Sequence, residues 1–368
     1  MNLDFFTADA LLSAPIRQGL VISFVLLVAL GISWAVLSSK NESARYIFKR
    51  VLQGLLTLLL ATALSFFVVQ LAPGDFLTPF RQNPQTTPET IADLEARFGL
   101  DQPVWTQYFL WLKQVVTEGN FGISFAYNRP ALELLWERVP NTILLSAASI
   151  LVTWAIAIPL GIISAVNQNR FTDRFLRVLS YFAQGFPTII TGLLLLFFAQ
   201  LTAPLFPVGG RTSLYHEDLN WIGKTLDVAW HLILPTLALS ITSFAGLQRL
   251  MRGQLLDVLR QDYIQTARAK GLPENRVIYV HALRNAINPL ITILGFEFSS
   301  LLSGSFIVET YFSWPGLGNL TLEAVQTQDL FLIMASLVLG AVMLIVGNLL
   351  ADLLLSFVDP RIKLSRLN

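Results

Sequence analysis

The sequence predicts an all-α, polytopic membrane protein with about seven transmembrane helices. Composition is the first ground. Of 368 residues, 54% are hydrophobic and only 13% charged, with mean hydropathy +0.59. A soluble domain carries about 25% charged residues. The second ground is how the apolar residues are grouped. They gather in runs of about twenty or more, the length a helix needs to cross a hydrocarbon core about 30 Å thick. No run alternates with period two, which argues against barrel strands.

The expected spans fall at about 19–38, 51–72, 141–165, 176–201, 231–251, 286–308 and 330–357. The fifth is the least apolar, and Pro235 is expected to start or kink it. The first run has no basic segment before it, and its positive residues follow it. It is therefore read as a retained N-terminal anchor over 1–45, with a cleaved signal as the alternative.

Lysine and arginine orient the chain. One set of loops holds Lys40, Arg45, Lys49 and Arg50, then Arg170, Arg174 and Arg177, then seven positive residues from Arg249 to Arg284, then Arg361, Lys363 and Arg366. That is seventeen of the 25 positive residues, so this side is expected to be cytoplasmic. The C-terminus is then inside and, with seven spans, the N-terminus outside. The opposite loop at 309–329 holds no positive residue but carries Glu309, Glu323 and Asp329.

The outer loop at 73–139 is long enough for a small subdomain. Within TTPETIADLEARFGL, Thr87 caps a short helix, Pro88 suits its first turn and Gly99 ends it. Trp105, Tyr108, Phe109 and Trp111 suit an external cap near the membrane interface. The plainer alternative is a loop that only packs over the bundle.

Several classes of chemistry are excluded. Without cysteine there are no disulfides, iron–sulfur clusters or thiolate metal sites. His216, His231 and His281 match no metal-ligand spacing. No phosphate-binding glycine loop, HExxH or GxSxG occurs. A net charge of +1 implies no nucleic-acid partner.

The stretch QDYIQTARAKGLPENRVIYVHALRNAINPL, residues 261–290, breaks the apolar pattern. Asp262 to Lys270 reads as a helix with an acid in its first turn. Gly271 stops it, and Pro273 starts a second with Glu274 near its N-terminus. Val277, Val280, His281 and Arg284 follow at helical spacing. Tyr263, Ala267 and Lys270 share one face of the first helix, beside the small Thr266 and Ala269. A loop that only marks topology, or touches anionic lipid, needs no such break at Gly271-Leu272-Pro273.

TARAKGL followed by HALRNAINP resembles the cytoplasmic coupling loop of the permease subunits of binding-protein-dependent ABC importers, in the dipeptide/oligopeptide/nickel branch. LAPGD (71–75), FGLDQP (98–103), GNFGISF (119–125), RVPNTILL (138–145), HLILPTLAL (231–239), VETYFSWPGLGNL (308–320) and DPRI (359–362) agree with it, in order across about 46–363. There are departures. The importer pattern opens Glu-Ala-Ala where this chain has Gln265, Thr266 and Ala267, and later has Leu-Pro where this chain has Leu283-Arg284. Six spans are usual in the branch.

The resemblance implies a permease domain over 46–368, with an outer subdomain at 73–139 and a coupling loop at 252–285. Asp262, Tyr263, Gln265, Thr266, Ala267, Lys270 and Gly271 would meet an ATP-binding subunit. Ala267 would be the close-packed contact and Gly271 the reversing turn. The chain itself would be non-catalytic and hold no cofactor, ATP and magnesium being bound by partners. Those partners would be a second homologous permease subunit in a heterodimer, two ATP-binding subunits, an extracytoplasmic substrate-binding protein and membrane lipid, all at the bacterial cytoplasmic membrane.

Ionisable groups inside a span are pathway candidates. Glu297 falls mid-span, with Ser300 and Ser303 on a small-sided stretch. These could line the translocation path or pack against a partner subunit. Asn348 and Asp352, four apart, are expected to bond neighbouring helices. The competing reading is a secondary transporter or channel with its own coupling. A single mid-span carboxylate and no visible repeat argue against it.

Overall fold

Among the described residues, helices cover the apolar runs that predict them, and three run well past their predicted ends. The structure is a computed structural model that describes residues 42–71, 77–78, 81, 86–98, 100–291, 293–294 and 305–358. The N-terminal anchor, Gly99 and residues 292 and 295–304 of the 286–308 span, with Glu297, Ser300 and Ser303, lie outside the described residues. So do the side chains of Asn348 and Asp352.

In chain order the helices are α1 (Glu42–Leu71), α2 (Pro88–Phe98), α3 (Val104–Glu118), α4 (Ala131–Val166), α5 (Phe171–Gln184), α6 (Thr188–Thr202), α7 (Trp221–Leu259) and α8 (Asp262–Ala269). Then come α9 (Glu274–Arg276), a π-helical segment (Val277–Ala282), α10 (Leu283–Ala286), α11 (Phe306–Tyr311), α12 (Leu317–Gln326) and α13 (Leu330–Val358). Among the described residues, three helices are long and apolar enough to cross a membrane: Leu52–Leu71 within α1, α4 and α7. The bent pair α5 and α6 makes a fourth if taken as one span. α13 covers the last expected span.

Two expectations need correction. The 176–201 run is not one straight helix. α5 and α6 meet at 94°. The break is Gly185-Phe186-Pro187, where proline lacks an N–H and disfavours helical geometry at the residue before it. Of the two roles expected of Pro235, starting the span is excluded, because α7 holds it inside 39 continuous residues, about 58 Å at 1.5 Å per residue. The extra length carries α7 out to Asn220, whose side chain caps it by accepting from the Gly223 amide at 2.8 Å.

The chain forms two compact units. Among the described residues, one holds those from 42 to 135 together with 324–341. Its core is Phe66, Tyr108, Trp111, Phe125, Leu330, Met334 and Val338. Within it Thr87 caps α2 as expected, accepting from the Thr90 amide at 3.2 Å, and Pro88 is the first helical residue. Tyr108 and Trp111 are buried, and Trp105 and Phe109 exposed. Asp329 accepts from the Ser124 hydroxyl (2.5 Å), the Ala126 amide (3.0 Å) and the Leu332 amide at the start of α13 (3.1 Å).

The other unit holds the described residues of 136–323 with 342–358. α7 is its axis, and α5 and α6 both pack along it. α4 and α7 approach closely at Gly161, where a Cβ would come within 2.7 Å of Met251. The connection after α6 is pinned back onto α7. Trp230 stacks on Phe206, centroids 5.3 Å apart, and its Nε1 donates to the Leu205 carbonyl at 3.1 Å. His216 Nδ1 lies 2.7 Å from an Asp227 carboxylate oxygen, and His231 Nδ1 lies 2.8 Å from the Asp227 carbonyl. Two histidines far apart in sequence thus share one aspartate. Among the described residues no group of three such side chains is arranged to hold a metal ion.

Candidate functional site

α8 begins two residues after α7 ends, and its geometry follows from local sequence. Gln261 is extended (φ −72°, ψ 148°), and its carbonyl takes the first amides of the helix. Asp262 sits in the first turn, where a negative charge favours the dipole. The end is a Schellman turn. Gly271 has φ 75°, its amide donates to the Arg268 carbonyl at 2.9 Å, and the Leu272 amide donates to the Ala267 carbonyl at 3.4 Å. The expected role of Gly271 as helix stop is what the backbone shows.

A fork closes over this turn. Arg268 Nη2 and Nε donate to the two Glu274 carboxylate oxygens at 2.6 and 3.2 Å. These hydrogen bonds hold the Glu274 carboxyl below its ordinary value. Both side chains are substantially exposed, so the pair contributes at most about 1 kcal/mol. Tyr263 is tied to α10 on the return side of the loop, its hydroxyl accepting from Asn285 Nδ2 at 2.8 Å.

The two faces of α8 differ. Ile264 and Ala267 are buried, in a core with Met251 and Leu255 of α7, Ile162 and Ala165 of α4, and Val277, Ile278 and Ala282 of the π segment. Asp262, Tyr263, Gln265, Thr266, Ala269, Lys270 and Gly271 are exposed. Ala267 therefore faces the chain's own core. The small residues that α8 exposes are Thr266 and Ala269. The second half of the loop also departs from expectation. The π segment widens the turn and shifts the register, so Val277, Ile278, Ala282 and Ala286 point inward while Val280 is exposed.

Sequence reasoning missed a second constellation. Asp173 on α5 is fully buried. It accepts two hydrogen bonds from Arg252 of α7, Nε to Oδ1 at 2.7 Å and Nη2 to Oδ2 at 2.9 Å. Ser164 of α4 donates to Oδ1 at 2.6 Å, and the Asn169 amide to Oδ2 at 2.8 Å. Further along the same helix pair, Ser180 donates to Gln248 Oε1 at 2.7 Å and Arg249 lies over the Tyr181 ring, 5.0 Å from its centroid. The only sequence signal was an acid among three arginines at 170–177, which reads as an ordinary basic loop.

The segment VETYFSWPGLGNL forms a third buried network. Glu309 is fully buried and accepts from Thr142, Ser305 and the Asn319 amide at 2.8, 2.9 and 3.0 Å. Trp314 Nε1 donates to the Asn141 carbonyl, and Asn141 Nδ2 to the Pro315 carbonyl. Every partner is internal, so this network anchors the segment.

Comparison with known proteins gives two family matches. Residues 157–364 match the binding-protein-dependent transport system inner membrane component, and residues 43–146 match the N-terminal part of such membrane components. The chain is 40% identical over 321 residues to the oligopeptide transport system permease protein AppB of Bacillus subtilis, covering 87% of this chain and 99% of that one. It is 36% identical over 321 residues to the dipeptide transport system permease protein DppB of Lactococcus lactis subsp. cremoris, with the same coverage. Against DppB of Escherichia coli K12 the figure is 35% over 335 residues, 87% of this chain and 98% of that one.

Proposed function

The chain belongs to the family of binding-protein-dependent transport system inner membrane components, and on that premise we propose that it forms, with a second homologous permease subunit, the translocation path of an ATP-driven peptide importer. It is a non-catalytic permease subunit of the membrane. Peptide is the cargo that the names of its relatives support. An extracytoplasmic binding protein would deliver it. Two ATP-binding subunits would hold ATP and magnesium and supply the work.

The observation that carries this reading is the construction of α8. A short helix presents Asp262, Gln265, Thr266 and Lys270 outward, while Ile264 and Ala267 lock its back onto the ends of α4 and α7. A push on such a helix is transmitted to both long helices, because a packed core does not deform continuously. The partner would sit on the Gln265–Thr266–Ala269 face. The orientation proposed is N-terminus outside and C-terminus cytoplasmic, on the seventeen-to-eight division of positive residues.

The test is co-expression with the candidate second permease, ATPases and binding protein, followed by reconstitution in proteoliposomes. Uptake of labelled di- or oligopeptide that requires ATP on the α8 side supports the reading. Uptake that proceeds on an ion gradient without ATP rejects it in favour of a secondary transporter.

A further inference from the structure

We infer that Asp173 and Arg252 form a clasp that makes the α8 loop and the first arm of the bent span move as one body. This rests on the importer reading above. The geometry has three parts. Arg252 lies in the last turns of α7, between Met251 and Leu255, which pack directly under Ile264 and Ala267 of α8. Its guanidinium reaches sideways and holds both oxygens of Asp173. Asp173 in turn stands in the first turn of α5, fourteen residues long, whose far end is the 94° bend into α6.

The attachment is selective. α4 and α7 are joined to α8 by an apolar core, but α5 contributes none of that core's fully buried side chains. Its buried residues are Asp173, Leu176 and Ser180. Two of the three are polar, and both are hydrogen-bonded to α7. The face it turns outward is apolar, with Phe171, Phe175, Val178 and Phe182 exposed. This is the arrangement of a helix that faces lipid outward, and it means that directional bonds hold α5 to α7. Apolar contacts slide, whereas a two-pronged guanidinium–carboxylate pair fixes position and rotation together. The added bonds from Ser164 and Asn169 satisfy the remaining lone pairs, and Arg177 Nε, 3.6 Å from Oδ1, places a second positive charge beside the buried carboxylate. A displacement of α8 would then reach the α5–α6 bend through Arg252 and Asp173. Without the pair, α8 would still dock and still trigger ATP hydrolysis, but its motion would reach α5 poorly.

The chain has no cysteine, which makes a direct test available. Asp173→Cys and Arg252→Cys are combined in the full importer complex and bridged with a short bifunctional methanethiosulfonate reagent. Reductant then opens the bridge. The expected result is near wild-type ATP consumption per peptide in the bridged form and roughly tenfold more after reduction, within the range of ordinary coupling energies. A bridged complex that hydrolyses ATP without transport would overturn the inference, because the pair would then have to part during the cycle. Equal ATP per peptide in both forms would overturn it too. If the reduced double variant fails to assemble, Arg252→Lys decides, since it keeps the charge but loses the second prong. Raised ATP per peptide in an assembled, normally inserted Arg252→Lys complex supports the clasp, and a wild-type value rejects it. A wild-type chain that does not assemble with the ATPases would instead count against the importer reading itself.

Discussion

Thr142 and Glu309 stand 167 residues apart in sequence, yet the Thr142 hydroxyl both donates to the Glu309 carboxylate at 2.8 Å and accepts from the Leu317 amide at 2.7 Å. One hydroxyl thus joins α4, α11 and α12. Glu309→Ala would leave two hydroxyls and an amide without their acceptor, and should cost about 2–4 kcal/mol. Gly316→Ala should cost a similar amount, because its methyl would collide with the same carboxylate. Thermal unfolding of the purified protein in detergent, followed by loss of monodispersity, reads both. An unchanged midpoint for Glu309→Ala would show that the network contributes nothing.

At Gly271 the left-handed backbone makes a graded prediction. Alanine there should cost about 1 kcal/mol and leave function largely intact. Proline, with φ fixed near −65°, should unmake the turn and abolish ATPase co-purification. Equal behaviour of the two variants would show that the turn is not needed.

The two faces of α8 should separate folding from docking. Ala267→Glu buries an unpaired carboxylate and should make the 261–285 loop sensitive to protease, at a cost of several kcal/mol. Thr266→Glu lies on the exposed face. It should leave the loop protease-resistant yet reduce ATPase binding at least about tenfold, the cost of one unfavourable interfacial charge. Full ATPase binding by Thr266→Glu would move the docking face elsewhere.

Orientation is testable with single cysteines in this cysteine-free chain. Positions Gln168 and Asn275 should resist an impermeant thiol reagent in intact cells, and the exposed Thr327 should react. Gln168 is the better cytoplasmic probe than Asn169, whose φ of 62° disfavours substitution. Labelling at 275 from outside would reverse the topology.

The Arg268–Glu274 fork sets a small pH dependence. Glu274 has a lowered pKa in the folded loop. Its contribution is therefore present above the unfolded carboxylate value near pH 4.3 and is lost as pH falls through the lower, folded one. Because the pair is exposed, Glu274→Gln should cost no more than about 1 kcal/mol at neutral pH. Amide exchange at Gly271 and Leu272, compared at pH 7 and in mild acid, measures it.

What the sequence revealed and what it hid follow a physical division. Thr87, Pro88 and Gly271 act through bonds to residues within five positions, so their roles were legible. The bend at Gly185-Phe186-Pro187 was missed because one window over 176–201 averages an amphipathic first half with a strongly apolar second half, and the Gly and Pro between them were not read as a break. Asp173 and Arg252 are 79 residues apart, and each alone looks like ordinary loop charge. Ala267 was placed on the wrong face because a small residue suits a partner's groove and a tight internal core equally well. The π turn at 277–282 moved Val280 outward by widening the helix, which no 3.6-residue count anticipates.

Taken as one span, α5 and α6 with their near right angle have a consequence for the membrane as a material. A straight span takes up in the plane only its own cross-section, about 10–12 Å across. A bent one also takes up area in the plane, in proportion to how far its arms spread. Opening or closing the angle therefore changes the footprint of the protein, and does work against the lateral pressure of the surrounding acyl chains. Lipids that raise or relieve that pressure would act on this span without touching a single hydrogen bond.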